Sequence, residues 1–261
     1  MATRLFTSAL FAGLTAGLIA ALLQFTLMEP LILEGEEYES GALVHFAGVP
    51  GSTADHHAND DDHHADDDPL ADDTDHHAND EQNQGVNVDE SDNLTTRFGL
   101  AFFADFIVFV GWGLFMVAGF SLAENYGHRV TQTNALLWGG AGFIAVHLAP
   151  GIGLPPELPG IPAADLQARQ IWWIATVLSA VVALALIAYG RGVGFTILGL
   201  ALLVVPHIIG VPQLDQFTGL APPELSAEFV ARSNAVAMAT WLTLGIAAGY
   251  FWNRNQASEA T

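Results

Sequence analysis

The sequence predicts an all-α, polytopic integral membrane protein, a helical bundle of about six transmembrane segments with five as the alternative number. Hydrophobic residues make up 51% of the 261-residue chain. Of its 28 acidic residues, 19 lie between residues 34 and 92, so the remainder is close to charge-neutral and strongly apolar. An apolar chain with one large polar loop is typical of membrane proteins and not of soluble domains.

Six apolar stretches define the segments, since a helix needs about 20 apolar residues to cross a bilayer. They run roughly over residues 5–28, 98–122, 134–149, 171–189, 192–205 and 231–252. The third and fifth stretches are short, which leaves five segments as the alternative. The first ends without a small-residue cleavage site, so we interpret it as a retained helix. Small-residue patterns at Gly13-x-x-x-Gly17 and Gly245-x-x-x-Gly249 predict close helix packing.

The chain divides into four predicted parts: a first transmembrane helix (1–33), an acidic His/Asp-rich loop (34–96), the remaining helices (97–254) and a short tail (255–261). The loop has few apolar residues to bury, so we expect it to be disordered.

Orientation follows from the arginines, since basic residues in short loops and at termini favour the cytoplasmic side. With six segments and the N-terminus inside, four of the seven arginines are cytoplasmic, namely Arg4, Arg129, Arg191 and Arg254. The His/Asp loop is then extracytoplasmic, and we expect the protein in the plasma membrane.

Two missing residue types exclude several functions. All seven basic residues are arginine, so the chain has no P-loop lysine and no Schiff-base lysine. It has no cysteine, which excludes disulfides, iron–sulfur clusters and thiolate metal sites. Acidity without lysine is also typical of halophilic proteins, where aspartates serve solvation.

The loop contains six of the ten histidines, as three pairs beside aspartates. Imidazole and carboxylate groups bind first-row divalent metals. We therefore predict metal contact by the pairs; the alternative is a solvating linker lengthened by duplication of Asp-His-His-Ala. The six histidines are His56, His57, His63, His64, His76 and His77.

A sequence repeat begins at His147 and again at His207. In each copy a histidine at a helix end precedes a Pro/Gly loop, a Pro-Pro-Glu-Leu sequence and an Ala-Arg pair that opens the next helix. The pattern predicts helix–outer loop–helix repeats, with the first hairpin as a hypothetical third copy. Substrate sites of transporters often lie where repeats meet. We expect Glu157 and Glu224 to cap the following segments or to pair with Arg169 and Arg232.

Four residues outside the loop are candidate metal ligands: Glu29, Asp105, His147 and His207. The two histidines adjoin Pro and Gly, which free backbone carbonyls; helix capping is the alternative. An aspartate at the depth of Asp105 costs about 2.5–3.5 kcal/mol to insert, so it should face water or protein and mark an ion route. An interhelical hydrogen bond is the alternative for Asp105. Glu29 lies at the outer end of the first helix, where it would line the mouth.

The chain resembles the CbtA family of predicted cobalt transporter subunits. The resemblance rests on Glu29-Pro30-Leu31-Ile32 after the first helix, on the run from His147-Leu148-Ala149-Pro150-Gly151 to Pro159-Gly160, and on Arg169-Gln170-x-Trp172-Trp173. It implies cobalt uptake linked to cobalamin synthesis. It also implies a small single-span companion subunit of the CbtB type.

The predicted function is therefore uptake of divalent cobalt, with Ni²⁺ as an alternative ion. The loop histidines would collect the metal, Glu29, His147 and His207 would pass it on, and Asp105 would line the deeper route. The alternative is a membrane-anchored divalent metal (Co/Ni/Zn) binding or sensing protein without transport. No HExxH-like motif is present, so we expect no enzyme. We expect lipid and the transported ion as partners, and neither a resident cofactor nor nucleic acid.

Overall fold

The computed structural model describes residues 2–44, 90–214 and 219–259. Within these ranges the secondary structure is helical and contains no strand, as predicted. The six loop histidines lie outside the described residues.

The first membrane-crossing rod consists of α1 (Ala2–Leu23), a π-helical turn (Gln24–Met28) and α2 (Glu29–Glu39). The third rod has the same construction, with α4 (Gln132–Phe143), a π-helical turn (Ile144–Leu148) and α5 (Ala149–Gly153). The other rods are single helices: α3 (Glu90–Asn125), α6 (Leu166–Tyr189), α7 (Val193–Ile209) and α8 (Pro223–Glu259).

Five helical segments of the described chain are long and apolar enough to cross a membrane, namely Thr3–Glu39, Gly99–Asn125, Gln132–Gly153, Leu166–Tyr189 and Pro223–Gln256. This confirms a polytopic helical membrane protein. The remaining helix, α7, is also apolar but has only 17 residues.

Helix α7 nevertheless runs back along α6. Ser179 Oγ donates to the Leu202 carbonyl at 2.7 Å, and Trp172 Nε1 donates to the Pro206 carbonyl at 3.2 Å. Seventeen residues extend about 26 Å at 1.5 Å per residue, close to the bilayer core thickness of about 30 Å. This length and the packing on α6 favour α7 as a sixth crossing.

Glycines bring two pairs of rods into close contact. An added Cβ at Gly17 would lie 3.2 Å from Phe106 Cα, so α1 packs directly on α3. An added Cβ at Gly245 would lie 2.6 Å from the Ala135 carbonyl oxygen, so α8 packs on α4. Both predicted small-residue patterns thus form helix contacts, because only glycine leaves room for the neighbouring backbone.

The structure differs at His147 from the helix end that the sequence repeat predicted. The helix does not end there: His147 lies inside the second π-helical turn, and the rod continues through Pro150 to Gly153. Pro30 and Pro150 each stand at the start of the short helix that comes after a π-helical turn. Proline lacks an N–H group and crowds the preceding turn, and the wider π turn accommodates it without ending the helix.

The ion pair predicted for Glu157 is confirmed, whereas Glu224 takes the alternative place in the first turn of α8. Arg169 Nη2 lies 2.9 Å from Glu157 Oε2, as predicted. Arg232 pairs with Glu228, one helical turn before it, and not with Glu224. Arg232 also donates from Nη1 to the Leu27 carbonyl at 3.1 Å, inside the first π-helical turn. The Arg232 guanidinium thus donates a hydrogen bond to a carbonyl of this irregular turn, whereas in a regular helix a backbone N–H group would be the donor.

Candidate metal-ion cavity

A cavity of about 970 Å³ lies among the two rods that contain π-helical turns and helices α3, α6 and α8. It occupies the half of the bundle where α5 ends and α6 begins, which we call the cavity end. Most of its lining is apolar, and the polar side chains come from all five rods. They are Gln24, Asp105, His147, Glu157, Arg169, Gln170, Ser233, Asn234 and Thr240.

Both π-helical turns border this cavity. The first contributes Gln24 and Met28, and the second contributes Val146 and His147. A π turn holds one residue more than an α turn, so it rotates the side chains beyond it by about 100° and widens the helix locally. The turns therefore determine which residues of these apolar rods face the cavity.

Asp105 lies in the apolar part of α3, six positions after Gly99, and it is half-buried in the cavity wall beside Val108 and Phe109. Among the described residues none forms a hydrogen bond or an ion pair with its carboxylate. A carboxylate at this depth is costly unless water, protein or a cation solvates it. Asp105 therefore lies at a cavity, and its predicted role in an ion route stays a prediction.

His147 is half-buried between two aromatic rings. Its ring stacks on Phe143 with centroids 6.5 Å apart and an interplanar angle of 16°. Its Nδ1 accepts a hydrogen bond from Trp241 Nε1 at 3.0 Å. The imidazole is therefore held in one orientation, with one edge against α8 and the rest of the ring at the cavity.

Asn234 and the Glu157–Arg169 pair complete the polar lining. Asn234 Nδ2 donates to the Val230 carbonyl at 2.9 Å. Its Oδ1 is directed towards Gly151, where an added Cβ would lie 4.0 Å away. The ion pair stands nearer the surface, with side chains 30% and 25% exposed for Glu157 and Arg169. Asn234 thus offers a carbonyl-type oxygen from α8, and Glu157 and Arg169 add a charge-neutral pair at the start of α6.

Of the four ligands predicted outside the loop, two share the cavity and two do not. Asp105 and His147 both line it. Met28 and Ile32 also line it, whereas Glu29 does not; Glu29 Oε1 is buried and has no hydrogen-bond partner among the described residues. His207 packs its ring 5.5 Å from the Trp172 ring, outside the cavity lining.

No group of three or more His, Asp or Glu residues in the described part of the chain is arranged to hold a metal ion. The cavity thus offers scattered ligands and not a closed coordination shell. Gln170, Asn234 and Trp241 were not singled out from the sequence as functional residues. Asn234 could have been predicted as a lining residue, because it is a polar amide inside an otherwise apolar segment.

An aromatic core separates the cavity from the opposite end of the bundle. Trp112 and Trp241 pack with ring centroids 5.2 Å apart, and further along Phe120 packs on Trp252 with centroids 6.2 Å apart. Phe120 and Trp252 are fully buried. The cavity is therefore closed on this side by tightly packed rings.

Beyond the aromatic core lies an ionic cluster centred on Glu124, at what we call the terminal end. Its carboxylate accepts hydrogen bonds from Arg4 Nη2 at 3.2 Å, from Trp252 Nε1 at 3.0 Å and from Gln256 Nε2 at 2.8 Å. The cluster joins α1, α3 and α8. The sequence reasoning did not identify Glu124, because a carboxylate at a helix end is usually solvated.

Comparison with known proteins identifies the family of the chain. A family model described as "Probable cobalt transporter subunit (CbtA)" matches residues 2–253 of the chain. The chain belongs to the CbtA family. The match covers all six rods and confirms the predicted family resemblance. No curated protein and no solved structure matches the chain.

Proposed function

We propose that this CbtA-family chain is the membrane subunit through which divalent cobalt enters the cell, by way of the cavity that Asp105 and His147 line. The observation that carries the proposal is the Asp105 carboxylate, which has no partner among the described residues and shares one intramembrane cavity with an imidazole. An anionic group without a protein partner at this depth favours occupancy by a cation. Membership in a family of probable cobalt transporter subunits supports the identity of that cation.

The size of the cavity suits a hydrated ion. A divalent cobalt ion with about six waters occupies roughly 180 Å³ of water volume at about 30 Å³ per water. The cavity volume of about 970 Å³ exceeds this several times. The cavity can therefore hold the ion with its water shell, and the proposed passage exchanges single waters for Asp105, His147 or amide oxygens.

Weak binding is suited to transport, because an ion must leave a site as readily as it enters. The lack of a three-residue His/Asp/Glu cluster in the described ranges agrees with such a transit site. A storage or sensing protein would instead profit from a closed coordination shell. The sensor without transport remains the alternative function, and the closed aromatic side of the cavity is the feature that favours it.

We assign the His/Asp loop to metal collection outside the plasma membrane. The three histidine pairs of the sequence, which lie outside the described residues, support this role. Deletion of residues 55–80 should weaken cobalt uptake at low cobalt concentration and leave uptake at saturating cobalt unchanged. We further propose that a single-span CbtB-type subunit accompanies the chain and that the cobalt supplies cobalamin synthesis.

Uptake of radiolabelled Co²⁺ by cells with and without the gene tests the proposed function. Uptake that depends on the gene and is competed by excess Ni²⁺ less strongly than by excess Co²⁺ supports a cobalt importer. Equal accumulation in both strains, together with cobalt binding to the purified protein, would support the sensor instead.

A further inference from the structure

The hydrogen bond between Trp241 and His147 fixes the protonation pattern of the imidazole. An indole N–H can only donate, so the nitrogen 3.0 Å away, His147 Nδ1, must accept with its lone pair. An Nδ1–H group would oppose the indole N–H. The geometry therefore excludes the Nδ1–H tautomer and the doubly protonated ring, and the single ring proton is on Nε2.

The Nδ1 edge of the ring faces protein and not the cavity. His147 lines the cavity, whereas Trp241 does not and is only 3% exposed. The cavity is thus faced by the remainder of the imidazole, which carries an N–H group and C–H groups. A metal ion binds imidazole through a nitrogen lone pair, and the only lone pair of this ring is engaged by Trp241.

The packing around Trp241 holds the indole in place. Its ring lies against Gly142, where any added Cβ would overlap the six-membered ring, and its carbonyl oxygen would lie 2.5 Å from a Cβ at Gly139. Trp112 covers it with ring centroids 5.2 Å apart. The donor cannot simply turn away, because glycine and aromatic contacts fix it on several sides.

We propose that Trp241 is a positioning residue that withholds the His147 lone pair from the cavity, so that cobalt coordinates His147 only by replacing Trp241 at Nδ1. The inference rests on the proposed passage of cobalt through this cavity. Coordination then breaks a contact between α8 and the second π-helical turn, at the boundary between the cavity and the aromatic core. Cobalt binding in the cavity is therefore coupled to the aromatic packing that closes the cavity on this side.

The variant Trp241→Phe tests this competition, because it keeps an aromatic ring and removes the N–H group. Titration of the purified full-length protein with Co²⁺ should show a dissociation constant about two- to tenfold lower than in the wild type, since one hydrogen bond no longer competes. Trp138→Phe is the matched control. Trp138 belongs to α4, lies outside the cavity lining and packs its indole on Phe120, so the cobalt affinity of this variant should equal that of the wild type. An unchanged or weaker cobalt affinity in Trp241→Phe would overturn the proposal.

Nitrogen-15 NMR of the histidine side chains gives a readout that does not depend on metal. In the metal-free wild type, His147 should show protonated Nε2 and unprotonated Nδ1, and Trp241→Phe should shift the Nδ1 resonance while Trp138→Phe should not. An Nδ1–H signal in the wild type would refute the role of Trp241 even if the variant fails to fold. Wild-type protein could instead show the Nε2–H tautomer and bind no cobalt. That result would refute the proposed function and the competition between cobalt and Trp241 for Nδ1, but it would leave the hydrogen bond itself in place.

Discussion

Asn255, near the end of α8, donates a hydrogen bond at 2.9 Å to the hydroxyl of Ser8, near the start of α1. The first and last rods therefore have their chain-terminal ends on the same side of the membrane. A chain with both ends on one side crosses an even number of times. This contact supports six crossings over five and makes the short helix α7 one of them.

Single-cysteine labelling tests this topology, and the chain needs no prior engineering because it has no cysteine of its own. Thr3→Cys and Val193→Cys should react with a membrane-impermeant maleimide from one side. Ala163→Cys and Leu220→Cys should react from the opposite side, which is the outside in the proposed orientation. Reaction of Val193→Cys and Leu220→Cys from the same side would show that α7 does not cross.

Replacement of Asp105 by asparagine should weaken cobalt binding to the purified protein on the order of tenfold, because it removes the unpaired charge from the cavity wall. The fold should tolerate this change, since no described residue depends on the carboxylate as a partner. Titration calorimetry measures the affinity, and thermal unfolding in detergent checks the fold.

The matched control for Asp105→Asn is Glu228→Gln, which neutralises a carboxylate of α8 outside the cavity lining. Its cobalt affinity should equal that of the wild type. Equal loss in both variants would indicate a general effect of net charge and would argue against a role of the cavity.

Alanine substitutions at two neighbouring glycines of α4 should change the free energy of unfolding in opposite directions. An added Cβ at Gly139 would lie 2.5 Å from the Trp241 carbonyl oxygen, whereas at Gly140 the nearest atom, Leu242 Cδ2, is 4.0 Å away. Gly139→Ala should therefore lower the free energy of unfolding by about 1–3 kcal/mol through overpacking. Gly140→Ala should raise it by roughly 0.5–1 kcal/mol, because alanine favours the helix. Unfolding curves in detergent that rank the two variants the other way would contradict the α4–α8 packing.

The ion pairs of Glu124 and Glu157 should differ in their contribution to stability. Glu124→Ala leaves three donors without their acceptor, in a cluster where the Arg4 and Glu124 side chains are 11% and 23% exposed. We expect a loss of roughly 1–3 kcal/mol in the free energy of unfolding. Glu157→Ala breaks a single pair nearer the surface and should cost about 0–1 kcal/mol. Similar losses in both variants would show that the Glu124 cluster does not stabilise the terminal end.

The types of residues along the sequence predicted the transmembrane helices and part of the cavity lining, including Asp105. Long apolar stretches leave little choice but membrane helices, and the cost of a charge in the bilayer identified Asp105 as a residue that needs a polar environment. The same reasoning did not separate His147, which lines the cavity, from His207, which does not. A helix that is apolar all round gives no periodicity from which its inward face can be read.

The π-helical turns explain most of the remaining difference. Pro30 and Pro150 were visible in the sequence, but proline predicts the end of a helix more readily than a widened turn through which the helix continues. Each π turn rotates the residues beyond it about the helix axis. The direction of the Glu29 side chain and the hydrogen bond from Trp241 to His147 therefore depend on this backbone geometry. No residue pattern in the chain specified that geometry.

Uptake of radiolabelled Co²⁺ by cells that produce either His147→Ala or His207→Ala tests the central claim most directly. The two histidines occupy equivalent places in the sequence repeat, but only His147 lines the cavity. If cobalt passes through the cavity, His147→Ala should lower uptake at subsaturating cobalt several-fold, and His207→Ala should retain wild-type uptake at equal protein levels. Loss of uptake in His207→Ala with full uptake in His147→Ala would contradict the proposed route.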